Sequence, residues 1–125
     1  MSALVIATAL AAGALGALLR YGATTLSGRT RANLPWAVLL VNAVGSLVGG
    51  IVIGLAQSGA IGADARLVVL SGFAGGLTTF STFSVETVQL ALAGRWRTAI
   101  GSVAANLALG IALAVAGFAL AGGFS

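Results

Sequence analysis

The sequence predicts an all-α membrane protein with four transmembrane helices per subunit. Three observations carry that prediction. The 125 residues are 59% hydrophobic and 6% charged, with a mean hydropathy of +1.12, whereas a soluble domain carries about 25% charged residues. Four apolar runs stand in the chain, each near the ~20 residues that a spanning helix needs. The connections between them are short. Eight charged side chains cannot cover a water-facing surface, so the chain belongs in a bilayer.

The first run covers about residues 3–26 and is interrupted by Arg20. It does not read as a signal peptide: it has no basic leading region, and Ala3 to Leu19 already exceeds the usual apolar core. The second run covers 36–55. Pro35 suits the N-terminal turn of that helix, where a missing N–H costs little. The third covers 67–92, with Asp64 just before it as a candidate N-cap. The fourth covers 98–120. Residues 1–125 therefore read as a single four-helix transmembrane domain, without internal repeats and with no remainder for a soluble domain.

Glycine is 19 of 125 residues, about twice its usual share. Gly45 and Gly49 are four apart, as are Gly50 and Gly54. Small residues at that spacing let backbones touch where lipid supplies no hydrophobic drive, either within a subunit or between subunits. Four short helices can hardly enclose a polar path alone, so the expectation is at least a dimer.

Polar residues inside the spans supply the functional signal. Asn42 and Ser46 share a face of helix two, and Thr98, Ser102 and Asn106 form a stripe on helix four. Helix three carries Thr78, Thr79, Ser81, Thr82, Ser84 and Glu86. One intramembrane amide can be glue between helices. Stripes on three helices favour a water-accessible path. Hydroxyls and amide N–H groups can donate to an anion, and a phenyl ring offers it a positive edge. Phe80 and Phe83, three apart, share a face beside Thr79, Thr82 and Glu86, although each ring alone also suits lipid or core contact. Gly72, Gly75 and Gly76 suggest an interruption of helix three, because paired glycine followed by two threonines weakens a helix. The alternative is a close helix crossing over Gly75 and Gly76. An interruption frees carbonyls for a cation and a half-helix N-terminus for an anion.

The stretch GFAGGLTTFSTFSVE, Gly72 to Glu86, resembles the signature of the Fluc (CrcB) fluoride channels of bacteria. VNAVGSLVGG in helix two and GALGALLRYG in helix one extend the likeness over essentially the whole chain. The resemblance implies a passive, fluoride-selective channel of the bacterial inner membrane that exports fluoride from the cytoplasm and relieves its toxicity. It implies an antiparallel, dual-topology dimer with two pores and a third helix broken near mid-membrane. Phe80 and Phe83 match the pore rings, Asn42 the pore asparagine, and Ser81 and Thr82 the path hydroxyls. Ser102 and Asn106 lie where the family has polar residues on helix four. Gly75 and Thr78 match the carbonyls that hold a central structural sodium ion. Arg20 matches an arginine near the end of helix one, and Glu86 the acid that closes the motif.

The loop charges strain one part of that picture. The first and third loops share one side and hold Arg29, Arg31, Arg95 and Arg97, while the second holds Arg66. Read by the positive-inside rule, this places the first and third loops in the cytoplasm and both termini outside. A homodimer must override that bias, and a heterodimer would pair the chain with an oppositely oriented paralogue. Rival classes fit less well. A small multidrug exporter needs an acid inside helix one, where this chain has Arg20. Proton-coupled fluoride exchange has thin machinery, with no histidine and Glu86 as the one intramembrane acid, and a pH-insensitive flux would dispose of it. An enzyme fits poorly, given the lack of histidine and cysteine, of a metal-ligand cluster, and of a base beside Ser81 or Ser84.

Overall fold

The structure, a computed structural model, describes residues 1–27 and 35–124. Arg29 and Arg31, two of the four arginines counted on the first and third loops, lie outside the described residues. The described regular structure is wholly helical. It comprises α1 (Ala3–Leu26), α2 (Trp36–Gln57), α3 (Ala63–Arg66), a π-helical stretch (Leu67–Ala74), α4 (Gly75–Leu77), α5 (Ser81–Leu92) and α6 (Trp96–Leu120). Four spans are long and apolar enough to cross a membrane: Ala3–Leu26, Trp36–Gln57, Ala63–Leu92 and Trp96–Leu120.

The last three spans exceed the apolar runs at their polar ends, through Gln57, Asp64 with Arg66, and Trp96 with Arg97. Hydropathy locates the apolar core of a span, whereas backbone groups gain by closing helical bonds for another turn into the interface. Asp64, expected as an N-cap, lies inside the first turn of α3, with Gly62 in the cap position. There its carboxylate faces the positive end of the helix. At α1 the cap is Ser2, whose Oγ accepts from the Val5 N–H at 3.2 Å. Three helices stop at a glycine with positive φ, Gly59, Gly94 and Gly122. At Gly94 the chain reverses by donating from Gly94 N to Ala91 O (3.0 Å) and from Arg95 N to Leu90 O (2.8 Å), a Schellman stop that a residue with a Cβ would strain.

Short connections force successive spans to run antiparallel, so alternate spans run parallel. The structure packs these alternate spans as pairs: α2 lies along α6, and α1 along the π-helical stretch and α4. Both seams are made of small residues. A methyl on Gly76 would strike the carbonyl oxygen of Gly13, and one on Gly16 that of Phe73. Between α2 and α6, a methyl on Gly50 would strike the Ala114 carbonyl oxygen, and one on Gly117 would sit 2.5 Å from Leu47 O. Dispersion between touching backbones is what holds helices together in lipid.

Within the third span, Gly75 and Gly76 are themselves helical. The helix stops two residues later. Thr78 has an extended backbone (φ −80°, ψ 157°), and Thr78, Thr79 and Phe80 form a non-helical link before α5.

A candidate polar site at the Thr78–Phe80 link

A stretch that leaves the helical ladder must place its N–H and C=O groups elsewhere. Here the Thr79 groups and the Thr78 carbonyl have named partners. In an uninterrupted helix the Thr79 N–H would return to Gly75 O. It donates instead to Asn42 Oδ1 at 2.8 Å, which releases the Gly75 carbonyl from that bond. Asn42 Nδ2 donates to Thr79 O at 3.0 Å, so one amide meets both backbone groups of Thr79. Its second hydrogen goes to Asn106 Oδ1 at 3.3 Å. Asn106 Nδ2 donates to Ser102 O at 2.9 Å. Arg20, on α1, donates from Nη1 to Thr78 O at 3.2 Å. Asn42 and Arg20 thus reach the same link from two helices, and Asn106, on a third, is tied to it through Asn42.

The second half of the span starts from this link. Thr79 is 7% exposed, and its Oγ1 accepts from the Thr82 N–H at 3.1 Å, the bond made by an N-cap side chain. The same Oγ1 lies 3.3 Å from Ser81 Oγ. Thr78 Oγ1 returns to Ala74 O at 2.9 Å. Phe80 is 80% exposed, and its ring lies 6.1 Å from that of Phe83, tilted by 44°. Ser81 is exposed, while Thr82 and Phe83 are half-buried.

The sequence-derived candidates therefore divide. Asn42, Asn106, Thr78 and Arg20 are bonded at or next to the link, and Ser81, Thr82, Phe80 and Phe83 follow directly from it. Ser102 joins through its backbone carbonyl. Its Oγ is fully buried and without a hydrogen-bond partner among the described residues. Glu86 lies farther along α5, half-buried, and its Oε2 is likewise unpartnered among the described residues. Gly75 is exposed beside the link. Thr98, on the same stripe as Ser102, is half-buried near the start of α6. Thr79 is the residue at the centre of the site that the sequence placed only as one of several hydroxyls. The one signal for it is its residue type, since threonine is favoured at the start of a helix, where its hydroxyl accepts a backbone N–H.

A groove of about 570 Å³ opens beside the link, between α2, the first half of the third span and the end of α6. Gly45, Ser46, Gly75 and Thr78 form its polar, small-residue end, and Phe118 and Phe124 the other. These two rings meet edge-on at 4.7 Å.

Comparisons with known proteins agree in direction. Residues 7–118 match the family model described as CrcB-like protein, Camphor Resistance (CrcB). The chain is 43% identical over 111 residues to a protein of Thermus thermophilus named fluoride-specific ion channel FluC, covering 88% of this chain and 89% of that one. It is 42% identical over 112 residues to fluoride-specific ion channel FluC 1 of Thermobifida fusca, covering 89% and 90%. A FluC protein of Pseudomonas aeruginosa is 43% identical over 104 residues, covering 82% and 81%.

Proposed function

The chain belongs to the CrcB family, and on that premise we propose that it is a fluoride-selective passive channel of the bacterial inner membrane. In this role it carries fluoride out of the cytoplasm and relieves its toxicity. It is a multi-pass membrane protein and not an enzyme. One observation carries the reading: relatives named fluoride-specific channels match a chain whose hydroxyls and Phe80–Phe83 ring pair begin at a polar link inside an apolar span.

Fluoride is small and strongly hydrated, so a site that passes it must replace that hydration in a narrow space. Several weak donors in series allow both entry and exit, whereas one strong site would trap the ion. Ser81, Thr82 and Ser102, with the ring edges of Phe80 and Phe83, are the donors we assign to the path; Asn42 and Asn106 line it, with their Nδ2 groups turned to Thr79 O, Asn106 Oδ1 and Ser102 O. We place the link a third to half of the way across the bilayer. Asn42 stands six residues into α2 and Asn106 ten into α6, about 9 Å and 15 Å from the Trp36 and Trp96 ends at 1.5 Å per residue, against a hydrocarbon core of about 30 Å.

Two copies complete the path, in opposite orientations, with two pores per dimer. The exposed Phe80 ring and the groove at Gly45 and Thr78 support a partner there. That partner is a second copy, or an oppositely oriented paralogue if the arginine bias fixes one orientation. A reporter fused to the C-terminus and assayed on both sides separates these: two-sided signal favours the homodimer. A structural sodium ion fits the donor set. Hard cations take neutral oxygens, often carbonyls of unwound helix. The Thr79–Asn42 bond frees the Gly75 carbonyl, while the Thr78 carbonyl keeps a lone pair beyond its Arg20 bond. Gly75 and Thr78 would hold the ion with the same pair from the partner, and its charge would raise the potential between the pores. Arg20, a like charge on one of these carbonyls, works against it.

The deciding experiment is efflux of fluoride against chloride from liposomes holding this chain alone. Fluoride release with chloride retained is expected. No fluoride release from well-folded protein, or equal release of both ions, would overturn the proposal.

A further inference from the structure

We propose that Asn106 is a positioning residue that acts through Asn42: α6 sets the α2 amide that pins Thr79, and so sets the start of α5. The inference rests on the channel reading for its functional consequence, but its geometry stands apart from it.

Donors and acceptors leave one consistent arrangement. Thr79 offers one N–H and one C=O to Asn42, so Oδ1 must meet the N–H and Nδ2 the carbonyl. That leaves the second Nδ2 hydrogen aimed at Asn106, which must present its Oδ1. Asn106 Nδ2 then faces the Ser102 carbonyl, which only a donor can satisfy. Turning the Asn106 amide over would set two NH₂ groups against each other and its oxygen against Ser102 O. The backbone of α6 thus fixes Asn106, Asn106 fixes Asn42, and Asn42 fixes Thr79. Glue between α2 and α6 would need a single bond. This relay has four bonds, and it ends on a buried backbone. From Thr79 the order passes on. Its hydroxyl caps α5 at Thr82 and lies next to Ser81 Oγ, and Phe80 follows it in the chain. A loosened Asn106 therefore moves the residues assigned to the path without touching the ion.

The test uses a pair of variants matched in shape, Asn106→Thr and Asn106→Val. A threonine hydroxyl at this position can donate to Ser102 O one turn back, as Thr78 and Thr87 do to Ala74 O and Phe83 O here, and can accept from Asn42. Valine can do neither. Two quantities are read on the full-length protein: backbone amide exchange at Thr79, and fluoride efflux after reconstitution. Valine is expected to speed Thr79 exchange and to lower efflux about tenfold, the order for leaving a buried partner unpaired. Threonine is expected to hold both nearer the parent. Adding Asn106→Val to Asn42→Leu should cost nothing further, because one residue acts through the other. Equal behaviour of valine and threonine, or unchanged Thr79 exchange in the valine variant, would overturn the proposal. If the parent protein passes no fluoride, the channel reading fails and Thr79 exchange alone decides the relay. If the valine variant does not fold, Asn106→Ala takes its place in the same comparison.

Discussion

Two neighbouring glycines should respond in opposite ways to the same methyl group. A Cβ on Gly76 would run into the Gly13 carbonyl oxygen, with Gly13 C and Cα both at 2.9 Å. All three atoms are backbone, so no rotamer change relieves the overlap and α1 must move away from the third span. Overpacking of this kind costs about 1–3 kcal/mol. A Cβ on Gly75 meets nothing nearer than Leu70 O at 3.7 Å, an ordinary contact. In a helix, alanine is also favoured over glycine by up to about 1 kcal/mol, but both positions are helical, so this gain cancels between them. Gly76→Ala and Gly75→Ala should therefore differ by about 1–3 kcal/mol, with Gly76→Ala the weaker. Thermal unfolding of the purified proteins in one detergent reads this as a separation on the order of 10 °C. Gly75 is exposed and lines the groove, so its alanine variant should keep its fold yet lose dimer on size exclusion. Equal melting temperatures, or Gly75→Ala melting first, would refute the assignment of Gly76 to the α1 seam.

Phe80→Ile and Phe83→Ile should each cut fluoride efflux at least about tenfold, near 1.4 kcal/mol on the path, while the dimer persists; parental efflux from both would count against a role for the rings. Ser102→Ala removes a buried hydroxyl that has no partner among the described residues, so stability should hold or rise by about 1 kcal/mol while efflux falls. A melting temperature that drops with efflux unchanged would make this hydroxyl structural. Arg20→Met keeps the aliphatic stem but strips the donor from Thr78 O, and should cost about 1–2 kcal/mol and reduce efflux. Arg20→Lys should restore part of both, and a methionine variant equal to the parent would show the contact to be idle.

Span number and order were legible because composition decides them: four apolar runs with short connections leave one up-and-down arrangement. Helix ends were less legible, since Gln57, Asp64 and Trp96 are helical for reasons of backbone bonding that hydropathy does not weigh. Gly75 and Gly76 drew attention as the weak point of helix three, but both are helical. Gly76 serves the tight seam with α1, and the ladder ends at Thr78, where Asn42 and Arg20 offer partners from other helices. Those partners are 37 and 58 residues away in the chain, a distance across which no local pattern speaks. Asn42 and Asn106 were recognisable as costly intramembrane amides. That they bond each other, and that Thr79 lies between α2 and α5 as their common load, required the fold.

The π-helical stretch has a consequence for how the chain can vary in length. A π turn closes on the fifth residue where an α turn closes on the fourth, so it holds one residue more than the same closure needs. Losing one residue between Leu67 and Ser71 lets the stretch close as α-helix while its two ends keep their faces. Anywhere inside α1, α2 or α6, the same deletion would turn everything beyond it by about 100° and lift Gly13, Asn42 or Asn106 off its partner. Deletion scanning should find its most tolerant intramembrane positions at 67–71. Among relatives of this chain, differences in third-span length should collect there, upstream of the glycines and the link, which have no residue to spare.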